Sequence, residues 1–115
     1  HAHAIQPIQR IGKTLVYYAL GNFLSGQEGT ERLIGLTSAI TIKKITYGNV
    51  TTIELTDLKV ELNYNYYNQY KRNVRIYPWD KVTTSLLPDK AAWEAKYLKI
   101  VNAMGANVSF TTVRK

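Results

Sequence analysis

The longest pattern of apolar positions in this chain is typical of β-structure. From Leu36 to Tyr47 the sequence is rich in β-branched residues, which favour strands. Gly48 and Asn49 then supply the two central residues of a tight hairpin turn, and the returning strand is predicted to begin at Val50. The pattern therefore predicts two antiparallel strands joined by a two-residue turn.

The apolar positions of the returning strand change parity partway along it. Ile53 and Leu55 share one parity, whereas three later residues share the other: Leu58, Val60 and Leu62. Because successive side chains point to opposite faces of a sheet, an uninterrupted strand would turn one of these sets away from the core. The sequence therefore predicts a β-bulge or a strand break near Thr56 and Asp57.

Further strands are expected on both sides of this hairpin. The nearly continuous apolar run from Thr14 to Leu20 predicts a buried strand. The polar, glycine-containing segment Ser25 to Gly29 predicts a loop. Three residues mark another short strand: Val74, Ile76 and Trp79. Val108 and Phe110 are expected to add a last one.

The period of the apolar residues becomes helical near the carboxy terminus. A helix is predicted to begin close to Pro88 and to end by Gly105. Its inward stripe is predicted to contain Trp93, Tyr97, Val101 and Met104. The resulting fold class is α+β, an antiparallel β-sheet or half of a sandwich with one carboxy-terminal amphipathic helix.

Composition narrows the class of protein further. With 115 residues, 45% hydrophobic and 20% charged, the chain suits one globular domain, so residues 1–115 are interpreted as a single domain. There is no cysteine, which excludes disulfides and cysteine metal sites. No apolar run approaches the roughly 18 residues of a membrane span. The net charge of +7 favours an anionic partner.

Two short motifs carry the candidate chemistry. Residues 1–8 read H-A-H-A-I-Q-P-I, and residues 17–24 read Y-Y-A-L-G-N-F-L. Together they resemble the end of the capsule-synthesis family of the CapA, poly-γ-glutamate type. In that family a G-H-P-H-x-x-Q-P motif is followed by a strand ending in S-L-G-N-F. Ala2 and Ala19 replace the usual proline and serine, and neither position is a ligand.

The resemblance implies a place in the calcineurin-like metallophosphoesterase superfamily. There the two histidines of G-H-x-H face different metals of a two-metal centre, so His1 and His3 are expected to be metal ligands. Gln6 and Asn22 are expected to line the site, although Asn22 also suits a strand-terminating turn. The cofactors implied are divalent metal ions in the intact parent protein, where imidazole is a suitable donor and two metals activate water.

The superfamily's other metal motifs, which bring aspartates, an asparagine and a further histidine, precede G-H-x-H. The chain is therefore expected to be the carboxy-terminal part of a larger capsule-synthesis domain and a fragment of a four-layer metallophosphoesterase-like fold. On this reading it is inactive alone and holds no metal centre by itself. The parent is expected outside the cell, at the cell surface or membrane-anchored, with membrane contact only through upstream segments.

The partners implied are the missing amino-terminal part of the same protein and an anionic capsule or cell-wall polymer. A homo-oligomer is also expected, because the parent's upstream strands would otherwise cover the apolar strand Thr14 to Leu20. The alternative function is a non-catalytic binding module for an anionic cell-surface polymer. Nucleic acid is the less favoured partner, since it depends on net charge alone.

A second feature of the sequence points to binding rather than catalysis. The segment from Tyr64 to Trp79 is rich in tyrosine and contains three interleaved cations: Lys71, Arg72 and Arg75. Aromatic rings combined with cations bind sugars or single-stranded nucleic acid in many proteins. The competing interpretation is a tyrosine-rich sheet in which alternate rings pack on the core.

Overall fold

The computed structural model describes residues 1–114. Within them lie β1 (Ile8–Ile11), β2 (Thr14–Tyr17), β3 (Ile34–Tyr47), β4 (Val50–Tyr66), β5 (Arg75–Pro78) and the helix α1 (Lys90–Val101). β1 and β2 form an antiparallel hairpin, and β3, β4 and β5 form an antiparallel sheet in that order. Antiparallel sheets with one helix confirm the predicted α+β class.

The β3–β4 hairpin has the predicted turn. Tyr47 pairs with Val50, so Gly48 and Asn49 are the two central residues. Gly48 has φ +58°, a left-handed value that glycine adopts without steric cost. A positive φ at the first central position is typical of a type II′ turn, whose twist matches that of the flanking strands. The strand before it begins at Ile34, two residues earlier than predicted.

The predicted change of face is a β-bulge. Ala39 pairs with Lys59, whereas Thr41 pairs with Thr56, so the register shifts between them. Two residues of β4, Asp57 and Leu58, therefore lie opposite a single residue of β3. Asp57 has φ +54°, the left-handed conformation found at the first position of one class of bulge.

The bulge divides the hairpin into a packed base and an exposed arm. On the base side, one face of β4 presents Val60, Leu62 and Tyr64 to the hydrophobic core. Beyond the bulge the arm, defined as residues 41–57, is mostly exposed. The arm gives the molecule its elongated shape, with extents of 60 × 26 × 26 Å.

The bounds of the helix agree with the prediction, but one residue of the predicted inward stripe does not face inward. Tyr97 and Val101 are buried and Trp93 is half-buried, as expected. Met104, predicted to face inward, is 43% exposed. The reason is that α1 ends at Val101, so Met104 does not continue the helical stripe. Asn102 fixes the departing chain, because its side chain exchanges two 2.8 Å hydrogen bonds with the backbone of Val108.

The amino-terminal strand differs from its prediction. The regular strand is Thr14–Tyr17, followed by an isolated bridge between Leu20 and Ile5. It is half-buried rather than buried, because only alternate side chains, Leu15 and Tyr17, pack against the core. β1 was not predicted as a strand.

Two short predictions near the carboxy terminus were only partly right. Trp79, predicted to lie in the strand, lies just beyond β5 in a short 3-10 turn, and its side chain is buried in the core. The last expected strand is reduced to one parallel bridge between Phe110 and Val60.

Candidate functional site

The His-x-His segment lies beside the turn that follows β2. The backbone N–H of Gln6 donates to the carbonyl of Ala19 at 3.0 Å, which holds residues 1–6 against residues 19–22. His1 is exposed and His3 is half-buried. Their ring centroids are 4.9 Å apart and the rings are nearly perpendicular. The two imidazoles therefore share one small region of surface.

The second motif contacts the first through one hydrogen bond. Nδ1 of His3 lies 3.0 Å from Oδ1 of Asn22. The amide nitrogen of Asn22 donates to Oε1 of Gln27 at 2.8 Å and to the carbonyl of Arg32 at 3.0 Å. These two acceptors fix the orientation of the amide, so its oxygen faces His3 and accepts from Nδ1–H. Nε2 of the neutral His3 ring is then the nitrogen with an unshared electron pair, as a metal ligand requires.

A close crossing of two backbone segments sets the position of Asn22. The carbonyl of Leu20 accepts a 2.7 Å hydrogen bond from the N–H of Leu36, and Gly21 then turns the chain with φ +71°. The Asn22 carbonyl lies directly over Gly35. A Cβ atom at Gly35 would be 2.2 Å from that oxygen, so only glycine fits beneath it.

A row of buried polar side chains supports this crossing from below. Glu61, Asn63 and Asn65 alternate along β4 on the face opposite Val60 and Leu62, and each is at most 6% exposed. Sequence reasoning missed this row, because polar residues alternating with apolar ones are typical of a strand with one solvated face. The only signal was the repeated asparagine in a strand of large apolar residues.

Each end of the row has distinct partners. At one end Glu61 accepts hydrogen bonds from the Arg114 guanidinium, at 2.7 Å for the shortest, and from the N–H of Val113. The hydrogen bond to Glu61 raises the pKa of the Arg114 guanidinium above its ordinary value. At the other end Asn65 contacts the Asn22 turn. Between them Oδ1 of Asn63 is buried and, among the described residues, has no hydrogen-bond partner.

The predicted site residues fall into two groups. The structure brings His1, His3 and Asn22 together. Gln6 is exposed, and within residues 1–114 its side chain is hydrogen-bonded to neither His3 nor Asn22. No three side chains of His, Cys, Asp or Glu are grouped in the described part of the chain so that they could hold a metal ion. Imidazole nitrogens are suitable metal donors, and His1 and His3 bring two imidazoles to this region of surface.

The tyrosine-rich segment is mainly part of the core. Tyr64 and Trp79 are buried, and Tyr66 packs edge-to-face on Tyr77 with centroids 6.3 Å apart. Lys71 forms an exposed 3.2 Å ion pair with Glu28. Among the described residues the cation–π contacts come from lysines of the helix: the Lys96 ammonium lies 4.7 Å from the Trp93 ring centroid, and the Lys90 ammonium lies 5.6 Å from that of Trp79. The structure thus favours the core-packing interpretation of this segment.

The corner formed by His1, His3 and Asn22 is defined by this geometry alone. Among the described residues, no helix is long and apolar enough to cross a membrane. No protein-family model, no curated protein and no solved structure matches this chain.

Proposed function

We propose that this chain is the carboxy-terminal part of a capsule or poly-γ-glutamate biosynthesis protein and contributes the His-x-His half of a two-metal site in the intact protein. The fold would then be part of a four-layer metallophosphoesterase-like domain. The parent would act outside the cell or at its surface on an anionic polymer. Alone, the chain would be inactive.

The observation that carries the proposal is the hydrogen bond between His3 and Asn22. The two residues belong to separate motifs, H-A-H at 1–3 and G-N-F at 21–23, which the resemblance names independently. Their side chains meet at 3.0 Å. An outer hydrogen bond to one ring nitrogen, leaving the other for the metal, is the usual arrangement of metal-binding histidines.

In this proposal the residues of the chain have distinct tasks. His1 and His3 would bind through imidazole nitrogens, and Asn22 would orient the His3 ring by holding its Nδ1 proton. Divalent metals, when bound, supply Lewis acidity and activate water. Two imidazoles provide two donors, whereas such ions take about four to six ligands and favour carboxylate charge. The remaining donors would come from the amino-terminal part of the parent.

The test uses the full-length protein that carries this sequence. His1→Ala and His3→Ala should each lower the metal content measured by mass spectrometry of the purified protein, together with any metal-dependent function. Asn22→Ala should have a smaller effect, because it removes an orienting group and not a ligand. Tyr47→Ala, at an exposed residue beside the β3–β4 turn, is the matched control and should leave metal content unchanged.

Two results would reject the proposal. The first is unchanged metal content after both histidine substitutions. The second is two tightly held ions in the 115-residue chain by itself, since that would require a donor set different from the one proposed.

A second candidate function is a non-catalytic module that binds an anionic polymer. It is favoured by the net charge of +7 and by a surface depression of about 270 Å³ to which Arg10 and Lys13 both contribute. Binding of polyglutamate that weakens with salt and with Lys13→Glu, in a protein whose metal content is insensitive to His3→Ala, would support this function in place of the first.

A further inference from the structure

We infer that Asn65 is a positioning residue for the metal-binding corner, acting through the backbone of Asn22 on the His3 ring. The effect on metal binding rests on the proposed function, whereas the contacts of Asn65 do not. Asn65 is 43 positions from Asn22 in the sequence and contacts neither histidine.

Asn65 is fully buried and uses both ends of its amide. Its nitrogen donates to the carbonyl of Asn22 at 3.3 Å and to the carbonyl of Leu33 at 3.2 Å. Its oxygen accepts from the N–H of Ser25 at 3.2 Å. One side chain thus joins β4 to both ends of the Asn22–Ser25 turn and to the residue preceding β3.

The same turn is confined from a second direction. Gly35 leaves space for the Asn22 carbonyl, and any side chain there would collide with it. The carbonyl is therefore held between the amide of Asn65, which attracts it, and the backbone of Gly35, which limits its approach. Once the backbone of Asn22 is fixed, its side chain reaches only the three partners already described: His3, Gln27 and Arg32.

The functional consequence is that the His3 ring carries its proton on Nδ1 before any ligand binds. Asn22 Oδ1 accepts a hydrogen bond from Nδ1–H and would repel the unshared pair that Nδ1 carries in the Nε2–H tautomer. Asn65 contributes to this tautomer by keeping the Asn22 oxygen within hydrogen-bond distance. These contacts explain why a polar residue occupies this position, which lies on the face of β4 opposite Val60 and Leu62 and is nevertheless buried.

The test is ¹⁵N NMR of the His3 ring at about pH 8.5, where free imidazole is neutral. In the unmodified chain the Nδ1–H form should dominate. Asn65→Ala and Gly35→Ala should both shift the ring nitrogens towards the values of a blocked histidine in water. Asn102→Ala is the matched control: it removes an amide that likewise bonds to backbone through both its atoms, here to Val108. Among the described residues Asn102 is hydrogen-bonded to none of His3, Asn22 and Asn65, so the tautomer should be unchanged.

The result that overturns the inference is an unchanged His3 tautomer in folded Asn65→Ala and Gly35→Ala, with Asn22→Ala alone shifting it. If the variants do not fold, the unmodified chain still decides the matter. Its Asn65 side-chain amide protons should exchange slowly with solvent and show nuclear Overhauser contacts to the Ser25 N–H. Rapid exchange with no such contacts would contradict the inference.

Metal binding separates this inference from the proposed function. In the full-length protein, Asn22→Ala should weaken metal affinity by about 10- to 100-fold, the usual effect of removing an outer-shell partner. Asn65→Ala, which acts only through Asn22, should weaken it by no more than that. A shifted tautomer with unchanged affinity would sustain the positioning role and count against the metal site. An unshifted tautomer, with affinity still lost on His3→Ala, would sustain the site and reject the role of Asn65.

Discussion

The indole N–H of Trp79 donates a 2.7 Å hydrogen bond to the carboxylate of Glu94. Trp79 follows β5 and is only 7% exposed, whereas Glu94 lies on α1. The Lys90 ammonium lies 5.6 Å from the centroid of the same indole ring. These contacts join the helix to the end of the sheet and satisfy a donor that would otherwise be buried without a partner.

Removing the acceptor should therefore destabilise the protein. Glu94→Ala leaves the Trp79 N–H unsatisfied, which typically costs about 1–3 kcal/mol. Glu94→Gln keeps an acceptor oxygen and should cost less. Urea unfolding followed by tryptophan fluorescence measures both variants. Equal stability of the alanine and glutamine variants would show that this hydrogen bond contributes nothing.

The buried phenol of Tyr97 is expected to make the protein less stable at high pH. Burial is the main factor that raises its pKa, to about 12, with the nearby Glu31 charge as a smaller cause. In the unfolded chain the phenol ionises near its ordinary pKa of 10. Between these values the unfolded state releases the proton and the folded state keeps it, so stability is full below pH 10 and falls as the pH rises towards 12. The loss is on the order of 2 kcal/mol.

The control for this pH effect is Tyr97→Phe, which removes the ionising group and its 3.1 Å hydrogen bond to the Glu31 carbonyl. The variant should be less stable at pH 7, by about 1 kcal/mol. Above pH 10 the difference between the two proteins should shrink and then change sign as the pH approaches 12, because the loss in the unmodified protein, on the order of 2 kcal/mol, exceeds the initial difference. A constant difference from pH 8 to pH 12, measured by urea unfolding, would contradict the assignment to Tyr97.

The bulge gives a prediction at Asp57. Its left-handed φ of +54° is tolerated by aspartate but is sterically costly for β-branched residues. Asp57→Gly should be neutral or stabilising, whereas Asp57→Val should destabilise by about 1–2 kcal/mol. Thermal unfolding of the two variants tests this. Because Asp57 is exposed, lost packing does not complicate the comparison.

The parts of the fold that sequence predicted are those set by local chemistry. The Gly48 turn, the face change at Asp57 and the bounds of α1 depend on neighbouring residues and were confirmed. The prediction that Met104 faces inward was wrong. The apolar period continues past the end of the helix, where Asn102 bonds to Val108 and directs the chain away. β1 was missed because a four-residue strand has little pattern of its own.

The candidate site also has one part that the sequence led us to expect and one part that it did not. The resemblance of two motifs led to the expectation that His3 and Asn22 lie near one site, and their side chains meet. The support beneath them could not be predicted. Asn65 and Gly35 are distant in sequence from Asn22, and their role arises only where the chain crosses itself. The alternation of polar and apolar residues along β4 predicted that Asn63 and Asn65 face solvent. That prediction failed because alternation does not show which loop covers a sheet face.

The last prediction concerns self-association, which the sequence assigned to the strand Thr14 to Leu20. In the structure that strand pairs with β1 and packs one face on the core. The arm offers more exposed apolar surface, with Tyr47 87% and Ile42 67% exposed. Lys43 and Lys44 lie on its β3 strand and Glu54 on its β4 strand. Lysines on an edge strand oppose its pairing with an identical edge.

The free β3 edge of one copy is therefore expected to pair with the β4 edge of another, where lysine meets glutamate. Light scattering across a concentration series should show association that weakens with salt, because the ion pairs are exposed. Ile42→Thr should raise the concentration at which association begins, whereas Tyr18→Thr, on the originally predicted strand, should not. If Tyr18→Thr abolishes association and Ile42→Thr does not, the original assignment is right. A strictly monomeric protein at high concentration would contradict both, because the exposed apolar residues of the arm would then be stable in water without a second copy.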